Sequence, residues 1–354
     1  MNKLRFALIG CSQIAEKHAV SLHRLDQAEL VAVADLNETR ARDFSNKHGG
    51  HWYTDYNTML REESIDVVTV LTPSGDHAAR VLDLVKYQKH IVVEKPLALR
   101  LEDADAVIQA CDEAGRKLFV VKQNRYNRPI QALRRAIDEG RLGKMVLGTV
   151  RVRWCREQAY YDSAPWRGTW AWDGGVLTNQ ASHHIDLLEW LMGAVETVTA
   201  MTATRLANIE AEDTGIAILR FRNGALGVIE ATTATRPRDL EGSISVLGEH
   251  GSVVVGGFAM DKLETWDFKT PHPLDKDIFE REGTNPPDYA WNHTEYLRDV
   301  VQSITADKRA LVDGLEGRKS LELINALYES VETGKEVTLR FRPKKCRLGI
   351  ISNE

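Results

Sequence analysis

Two short stretches carry residue types that could do chemistry together. "VVEKPLA" (92–98) sets Glu94 beside Lys95, and "DGGVLTNQASHHIDLLEWLMG" (173–193) carries Asn179, His183 and Asp186. A lysine ammonium hydrogen-bonds a hydroxyl and tunes its ionisation, and an imidazole accepts the proton that the hydroxyl releases. The pair fits removal of a proton from an alcohol during hydride transfer. Asn179 and His183 are four residues apart and Asp186 is three further on, so a helix over 177–192 shows all three on one face, with His184 pointing elsewhere. Taken singly, Glu94–Lys95 reads as a surface ion pair and His183 as a core histidine. A hydride acceptor beside them makes Lys95 and His183 catalytic candidates.

"LIGCSQIAEKH" (8–18) offers a place for that acceptor. A glycine turn between a strand and a helix lets backbone N–H groups at the helix N-terminus meet a pyrophosphate. Gly10 supplies the turn and Ala15 the third small residue. Ser12 stands where a middle glycine would allow the closest approach, and its hydroxyl can donate to a phosphate oxygen. Gly10, Ser12, Gln13 and Ile14 are therefore assigned to a dinucleotide. Asp35 ends the second apolar run, where a carboxylate accepts from the adenosine ribose hydroxyls and repels a 2′-phosphate, which selects NAD over NADP. Arg40 and Arg42 downstream read as a solvated helix face. Thr72 in "TPSGDHA" closes the third run at the same edge, with His77 in the next helix's first turn, and both are assigned to the cofactor. "YYDSAPWRGTWAW" (160–172) has poor periodicity and reads as an aromatic loop able to cover a nicotinamide or a base.

The elements that must position these residues are legible in the periodicity. Apolar runs at 4–10, 29–35, 66–72, 90–95 and 117–122 alternate with helix-like stretches at 14–25, 38–48, 76–87 and 101–114. Continuous apolar strands separated by helices indicate a parallel sheet buried on both faces, a doubly wound α/β domain. Beyond a helix at 129–139 come strand-like segments at 145–154, 196–206, 214–224, 225–234, 242–257 and 261–268, with Asn223-Gly224 as a hairpin signal. Helices are expected at 177–192, 289–305 and 314–333, and a long loop at 269–288. The expected division is 1–122 for the cofactor domain, 123–340 for an α+β domain with a large, mainly antiparallel sheet, and 341–354 for a tail.

Composition excludes other classes. The chain has 354 residues and a net charge of -5, which gives nucleic acid and anionic membrane no electrostatic footing. No apolar run reaches a membrane span, and no signal peptide is visible. The four cysteines lie far apart without metal-ligand spacing, so they read as reduced cytoplasmic thiols and no metal is expected. Cys11 reads as a small turn residue. A sheet of this size needs its second face covered, so that face is expected to form a homo-oligomer.

Taken together, Gly10/Ser12/Ala15, Thr72-Pro73/His77, Glu94-Lys95-Pro96, Trp166-Arg167, Gly174-Gly175 and Asn179/His183/Asp186 resemble the glucose–fructose oxidoreductase and inositol dehydrogenase (Gfo/Idh/MocA) family. The resemblance runs to about residue 335. It implies a Rossmann domain binding NAD, Lys95 and His183 as catalytic groups, and Glu94 near the nicotinamide ribose. It also places Gln123, Trp166 and Arg167 with the cofactor, and Lys95, Arg125, Tyr160, Asn179 and His183 with the substrate. Two positions depart from the family pattern: Ser12 replaces Gly, and Asn179 replaces Asp. The stretches 120–145 and 177–193 look like the UDP-N-acetyl-glucosaminuronate 3-dehydrogenases of lipopolysaccharide O-antigen biosynthesis. That resemblance implies a UDP-sugar uronate substrate and a dimer or tetramer, tetramer favoured. Cations available for its diphosphate and carboxylate are Lys122, Arg125, Arg128, Arg153, Arg156, Arg167, Arg236 and Arg238. Two other readings are an inositol or simple-sugar dehydrogenase of the same family, and a non-catalytic NAD sensor. A sensor has no need of Lys95 and His183.

Overall fold

The computed structural model describes residues 3–339, so the expected tail at 341–354 lies outside the described residues. The chain forms two sheets. The first contains β1 (Leu4–Ile9), β2 (Ala28–Ala34), β3 (His51–Tyr53), β4 (Val67–Val70), β5 (His90–Val93) and β6 (Leu118–Val120). Its order is β3-β2-β1-β4-β5-β6, every pair parallel. All four residues of β4 are buried, as a strand covered on both faces requires. One cover buries Val81, Leu84, Val107 and Ile108, and the other Ala15, Ala19, Leu22 and Phe44.

Register carries the site. Ile9 pairs with Ala34 and with Val70, Val70 with Val93, and Val93 with Val120. The residues that follow those partners, Gly10, Asp35, Leu71-Thr72, Glu94-Lys95 and Val121-Lys122, therefore emerge along one edge. That is the carboxyl edge, where an open parallel sheet binds ligands.

The second sheet contains β7 (Met145–Arg153), β8 (Val195–Ala203), β9 (Thr214–Phe221), β10 (Leu226–Thr232), β11 (Glu241–Gly248), β12 (Gly251–Gly256), β13 (Lys262–Phe268) and β14 (Val337–Thr338). Its order is β13-β12-β11-β7-β10-β9-β8-β14, and only β7–β10 is parallel. One face packs on the helices Arg128–Asp138, Ser182–Met192 and Gly314–Thr333. The other face is open. Along β9, Gly215, Ala217, Leu219 and Phe221 point inward, while Ile216, Ile218 and Arg220 are exposed. Val146, Met201 and Leu226 are also exposed on these strands.

Several expectations are revised. The edge strand β3 and the helix Tyr56–Glu62 are additions, too short to show periodicity. The run 242–257 divides into β11 and β12 at Glu249-His250. The helix expected over 177–192 begins only at Ser182, because the Val176 and Leu177 N–H groups donate to Glu212 and hold the preceding turns. The loop 269–288 contains a short helix, Ile278–Glu282. The helix Trp291–Thr305 returns to the first sheet, where Tyr296, Leu297, Val300 and Val301 join its core.

Candidate active site

The glycine turn is built for close approach. Gly10 has φ +99°, and a Cβ there would lie 2.8 Å from the Leu71 carbonyl oxygen. Ser12 precedes the helix Gln13–His23 in an extended conformation, and its side chain makes no capping hydrogen bond. Its hydroxyl and the helix N-terminus thus face the turn, where Ser12 and Gln13 are exposed and Ile14 half-buried. Asp35 accepts from Cys11 N at 2.9 Å and from Asn37 N at 2.9 Å, which fixes its carboxylate beside the turn. Arg40, expected on a solvated helix face, has a half-exposed side chain and approaches that carboxylate to 3.6 Å. Leu36, next in sequence, is 94% exposed. Burial and the Asp35 charge push the Cys11 thiol up to about 12, which makes it inert. The exposed turn, the helix N-terminus and the Asp35 carboxylate beside them fit a dinucleotide.

Glu94 and Lys95 sit in line with that turn. Glu94 Oε1 lies 3.0 Å from His18 Nε2, and Glu94 Oε2 accepts from the Lys95 backbone N–H at 3.1 Å. Burial pushes the Glu94 carboxyl up, but His18, His293 and Lys95 outweigh it and hold it down at about 2. His18, Glu94 and His293 each bring one ligand-capable atom within 4.8 Å of the others, all buried. His18 and His293 escaped the sequence reading; His18 closes the quoted glycine stretch, but nothing marked its partner. The Lys95 ammonium donates to the Asn179 carbonyl at 2.9 Å and lies 3.5 Å from Asn179 Oδ1. Burial lowers its pKa from the ordinary lysine value; the Glu94 and Asp173 charges oppose this and Arg167 adds to it.

The second cluster meets Lys95 from the other side of the crevice. His183 Nε2 lies 3.1 Å from Gln123 Nε2, while His183 Nδ1 is buried without a hydrogen-bond partner. Gln123 Oε1 is buried without a partner as well, so this amide can meet the ring by either end, and His183 Nε2 accepts or donates according to its tautomer. Burial, then the Lys95 and Lys122 cations, hold its pKa well below the usual imidazole value. Asn179 donates to Asp173 Oδ1 and so links Lys95 to a buried acid. Gly175 permits this layout: a Cβ there would lie 2.2 Å from the Glu212 carbonyl. The aromatic loop docks on the turn that follows β4, through Gly75 N to Trp172 O at 2.8 Å. Within it Arg167 stacks on Tyr160 and Trp166, 4.3 and 4.6 Å from the ring centres, and donates to Tyr160 Oη at 2.6 Å. Among the described residues Arg167 pairs with no acid.

Two family models cover most of the chain: an NAD-binding Rossmann fold over residues 4–122, and an oxidoreductase C-terminal alpha/beta domain over 134–339. The chain belongs to the Gfo/Idh/MocA oxidoreductase family. The WlbA dehydrogenase of Bordetella pertussis, whose crystal structure holds NADH and UDP-GlcNAcA, is 43% identical with a TM-score of 0.93, over 96% of this chain and 99% of that one. The WlbA dehydrogenase of Chromobacterium violaceum, in a complex with the same two molecules, is 42% identical with a TM-score of 0.91, over 97% and 98%. The myo-inositol 2-dehydrogenase of Thermotoga maritima is 28% identical over 95% of this chain and 98% of its own.

Not every residue expected in this Gfo/Idh/MocA site faces the crevice. Arg125 was expected to hold substrate. Instead it is 2% exposed and forks onto Asp186, with Nε to Oδ2 at 2.8 Å and Nη2 to Oδ1 at 2.9 Å. Asp186 therefore faces Arg125 and Lys122, not His183. Lys122 is buried on Ser320 Oγ at 2.8 Å and is likewise unavailable. His77 was expected to touch the cofactor. Its ring is buried, with Nδ1 2.7 Å from the Pro96 carbonyl and Nε2 2.8 Å from the Thr72 carbonyl, so no ring nitrogen is left for one. Thr72 Oγ1, by contrast, has no hydrogen-bond partner. Arg153 pairs with Glu230 and Glu241 on the sheet's open face, Arg156 with Asp239, and Arg128 stacks on Trp291.

Proposed function

We propose that this chain oxidises the C3 hydroxyl of UDP-N-acetyl-D-glucosaminuronic acid to the 3-keto sugar with NAD. The observation that carries the reading is the near-full-length similarity to two dehydrogenases whose structures hold NADH and UDP-GlcNAcA. It is supported by Lys95, Asn179 and His183 meeting at the cofactor edge. NAD bound at Gly10, Ser12, Gln13, Ile14 and Asp35 supplies the acceptor for the C3 hydride. Lys95 donates to the C3 oxygen and orients it. His183, neutral at physiological pH, takes the hydroxyl proton directly or through Lys95. Tyr160 and Asn179 line the sugar side; Glu94, Gln123, Trp166 and Arg167 line the cofactor side.

The same reading places the reaction in the cytoplasm, in lipopolysaccharide O-antigen sugar biosynthesis, ahead of a transamination at C3. No helix among the described residues is long and apolar enough to cross a membrane. The open face of the second sheet, with Met201, Ile216 and Ile218 exposed, would meet another copy, in a dimer or tetramer with the tetramer favoured. The test is NADH formation from UDP-GlcNAcA, with UDP-GlcNAc and myo-inositol as comparison substrates and NMR of the product. Turnover of myo-inositol but not of the uronate would favour the second reading, which rests on the inositol dehydrogenase relative.

A further inference from the structure

Asp173 stands outside the catalytic assignments above, yet both of its carboxylate oxygens lead to segments that carry them. It is 2% exposed. Its Oδ2 accepts from Gly168 N at 3.0 Å, which ties it to the segment carrying Trp166 and Arg167. Its Oδ1 accepts from the Asn179 side-chain NH2 group. The other end of that amide, Oδ1, lies 3.5 Å from the Lys95 ammonium, and the Asn179 backbone carbonyl lies 2.9 Å from it. An amide has a donor end and an acceptor end. A carboxylate on one side and an ammonium on the other admit a single orientation: flipped, the NH2 group would face the cation and the oxygen would face the anion. The sequence carboxylate–amide–ammonium is thus polarised end to end.

We infer that Asp173 is the positioning residue for the catalytic lysine: by gripping the Asn179 amide it aims the amide oxygen at Lys95 and fixes the ammonium beside the reacting hydroxyl. The inference rests on the role given to Lys95 above. The charged and titratable groups facing Lys95 are Glu94, Asp173, Arg167, Lys122 and His183. Glu94 and Asp173 supply the anions, and both favour the ammonium form of Lys95. Burial pushes the Asp173 carboxyl itself up, and its hydrogen bonds together with Lys95 and Arg167 oppose that.

The experiment uses Asp173→Asn, which keeps the shape and removes the charge. Two quantities are read. One is the pH dependence of Lys95 acetylation by acetic anhydride, followed by peptide mass spectrometry, which needs no substrate. The other is kcat for UDP-GlcNAcA, with NADH affinity from fluorescence as the control for folding. The labelling profile should move to lower pH, with Lys95 labelling at a fixed mildly alkaline pH rising roughly threefold or more. kcat should fall about tenfold or more, the scale of a lost hydrogen bond to a charged group, while NADH affinity holds. The double variant D173N/N179D returns a carboxylate to Lys95 and should bring the labelling profile back. If Asp173→Asn does not fold, Asn179→Leu cuts the same chain and should move the profile the same way. A loss of kcat with an unmoved labelling profile overturns the inference and leaves Asp173 as a loop tie. Absence of UDP-GlcNAcA turnover in the parent chain overturns the proposed substrate instead, and the labelling arm still decides this point.

Discussion

Arg125→Met separates two roles for one arginine. The sequence resemblance puts Arg125 on the substrate; the structure buries it between the two halves of the site. It forks onto Asp186 at 2.8 and 2.9 Å and reaches Glu316 at 3.3 Å, while Lys122 stands 3.8 Å from the same aspartate. Methionine keeps an unbranched apolar stem but ends short of the guanidinium, which lies 5.0 Å from the Trp190 ring centre. What is lost is the cation. Removing one partner of a buried pair costs about 3–5 kcal/mol, because the other charge stays desolvated and unanswered. Lys122 remains beside Asp186, which puts Arg125→Met near the lower end, about 3 kcal/mol. Asp186→Asn removes the carboxylate shared by two buried cations, leaving Glu316 to Arg125 and the more distant Glu189 charge to both, and belongs near the upper end, about 5 kcal/mol. Equilibrium urea unfolding of both variants reads the ranking, and steady-state kinetics reads KM for UDP-GlcNAcA. Both should lose stability in that order, with KM as in the parent chain. A raised KM with unchanged unfolding would refute the structural role and return Arg125 to the substrate.

Three further outcomes follow from the same geometry. His183→Asn should lower single-turnover hydride transfer by ~10²–10⁴-fold while NAD affinity holds, since only the proton acceptor is removed; near-normal turnover would show the base to be elsewhere. Ser12→Asp should abolish NAD binding in calorimetry without unfolding the chain, because it sets a carboxylate against the pyrophosphate at an exposed helix start. Burial holds His184 and His293 at about 3 in the folded chain, below the ordinary imidazole value. The unfolded chain therefore binds more protons as pH falls from about 6.5 through about 3, and stability drops across that window. Urea midpoints should fall between neutral and mildly acidic pH, less steeply in His184→Phe; parallel slopes would count against buried neutral rings.

The first sheet was legible because a parallel strand buried on both faces is a continuous apolar run, and Gly10, Asp35 and Glu94-Lys95 each end one. Edge strand β3 broke the rule because three residues carry no pattern. Lys95 and His183 were legible as types, but their setting was not. Helical spacing put Asp186 with His183, yet the helix starts only at Ser182, so Asn179 comes from the preceding turn and Asp186 faces Arg125. Charge alone cannot tell an arginine that meets ligand from one that locks two elements together; that depends on where the nearest carboxylate lies, here 61 residues away in sequence. Asp173 and His18 were both inside quoted motifs. Their partners, Asn179 and Glu94, are named only by the fold.

The cations around His183 have a consequence for catalysis itself. Lys95 and Lys122 help keep the free ring neutral, which is the form able to accept a proton, but the same field makes it a weak base. An arriving uronate or diphosphate brings negative charge into that field and partly cancels it. The base should therefore strengthen as the substrate binds. The acid limb of kcat/KM reports the free enzyme and that of kcat the complex. With His183 as the proposed base, activity requires the neutral ring, present above its pKa, so both limbs should lie below the ordinary imidazole value of about 6.5, with the kcat limb higher than the kcat/KM limb. An uncharged sugar that turns over slowly should leave the two limbs together, since it cancels nothing. Coincident limbs with UDP-GlcNAcA would mean that the substrate's anionic groups lie beyond the reach of His183. They would then bind without tuning the base, and the two lysines would serve only to hold the ring neutral.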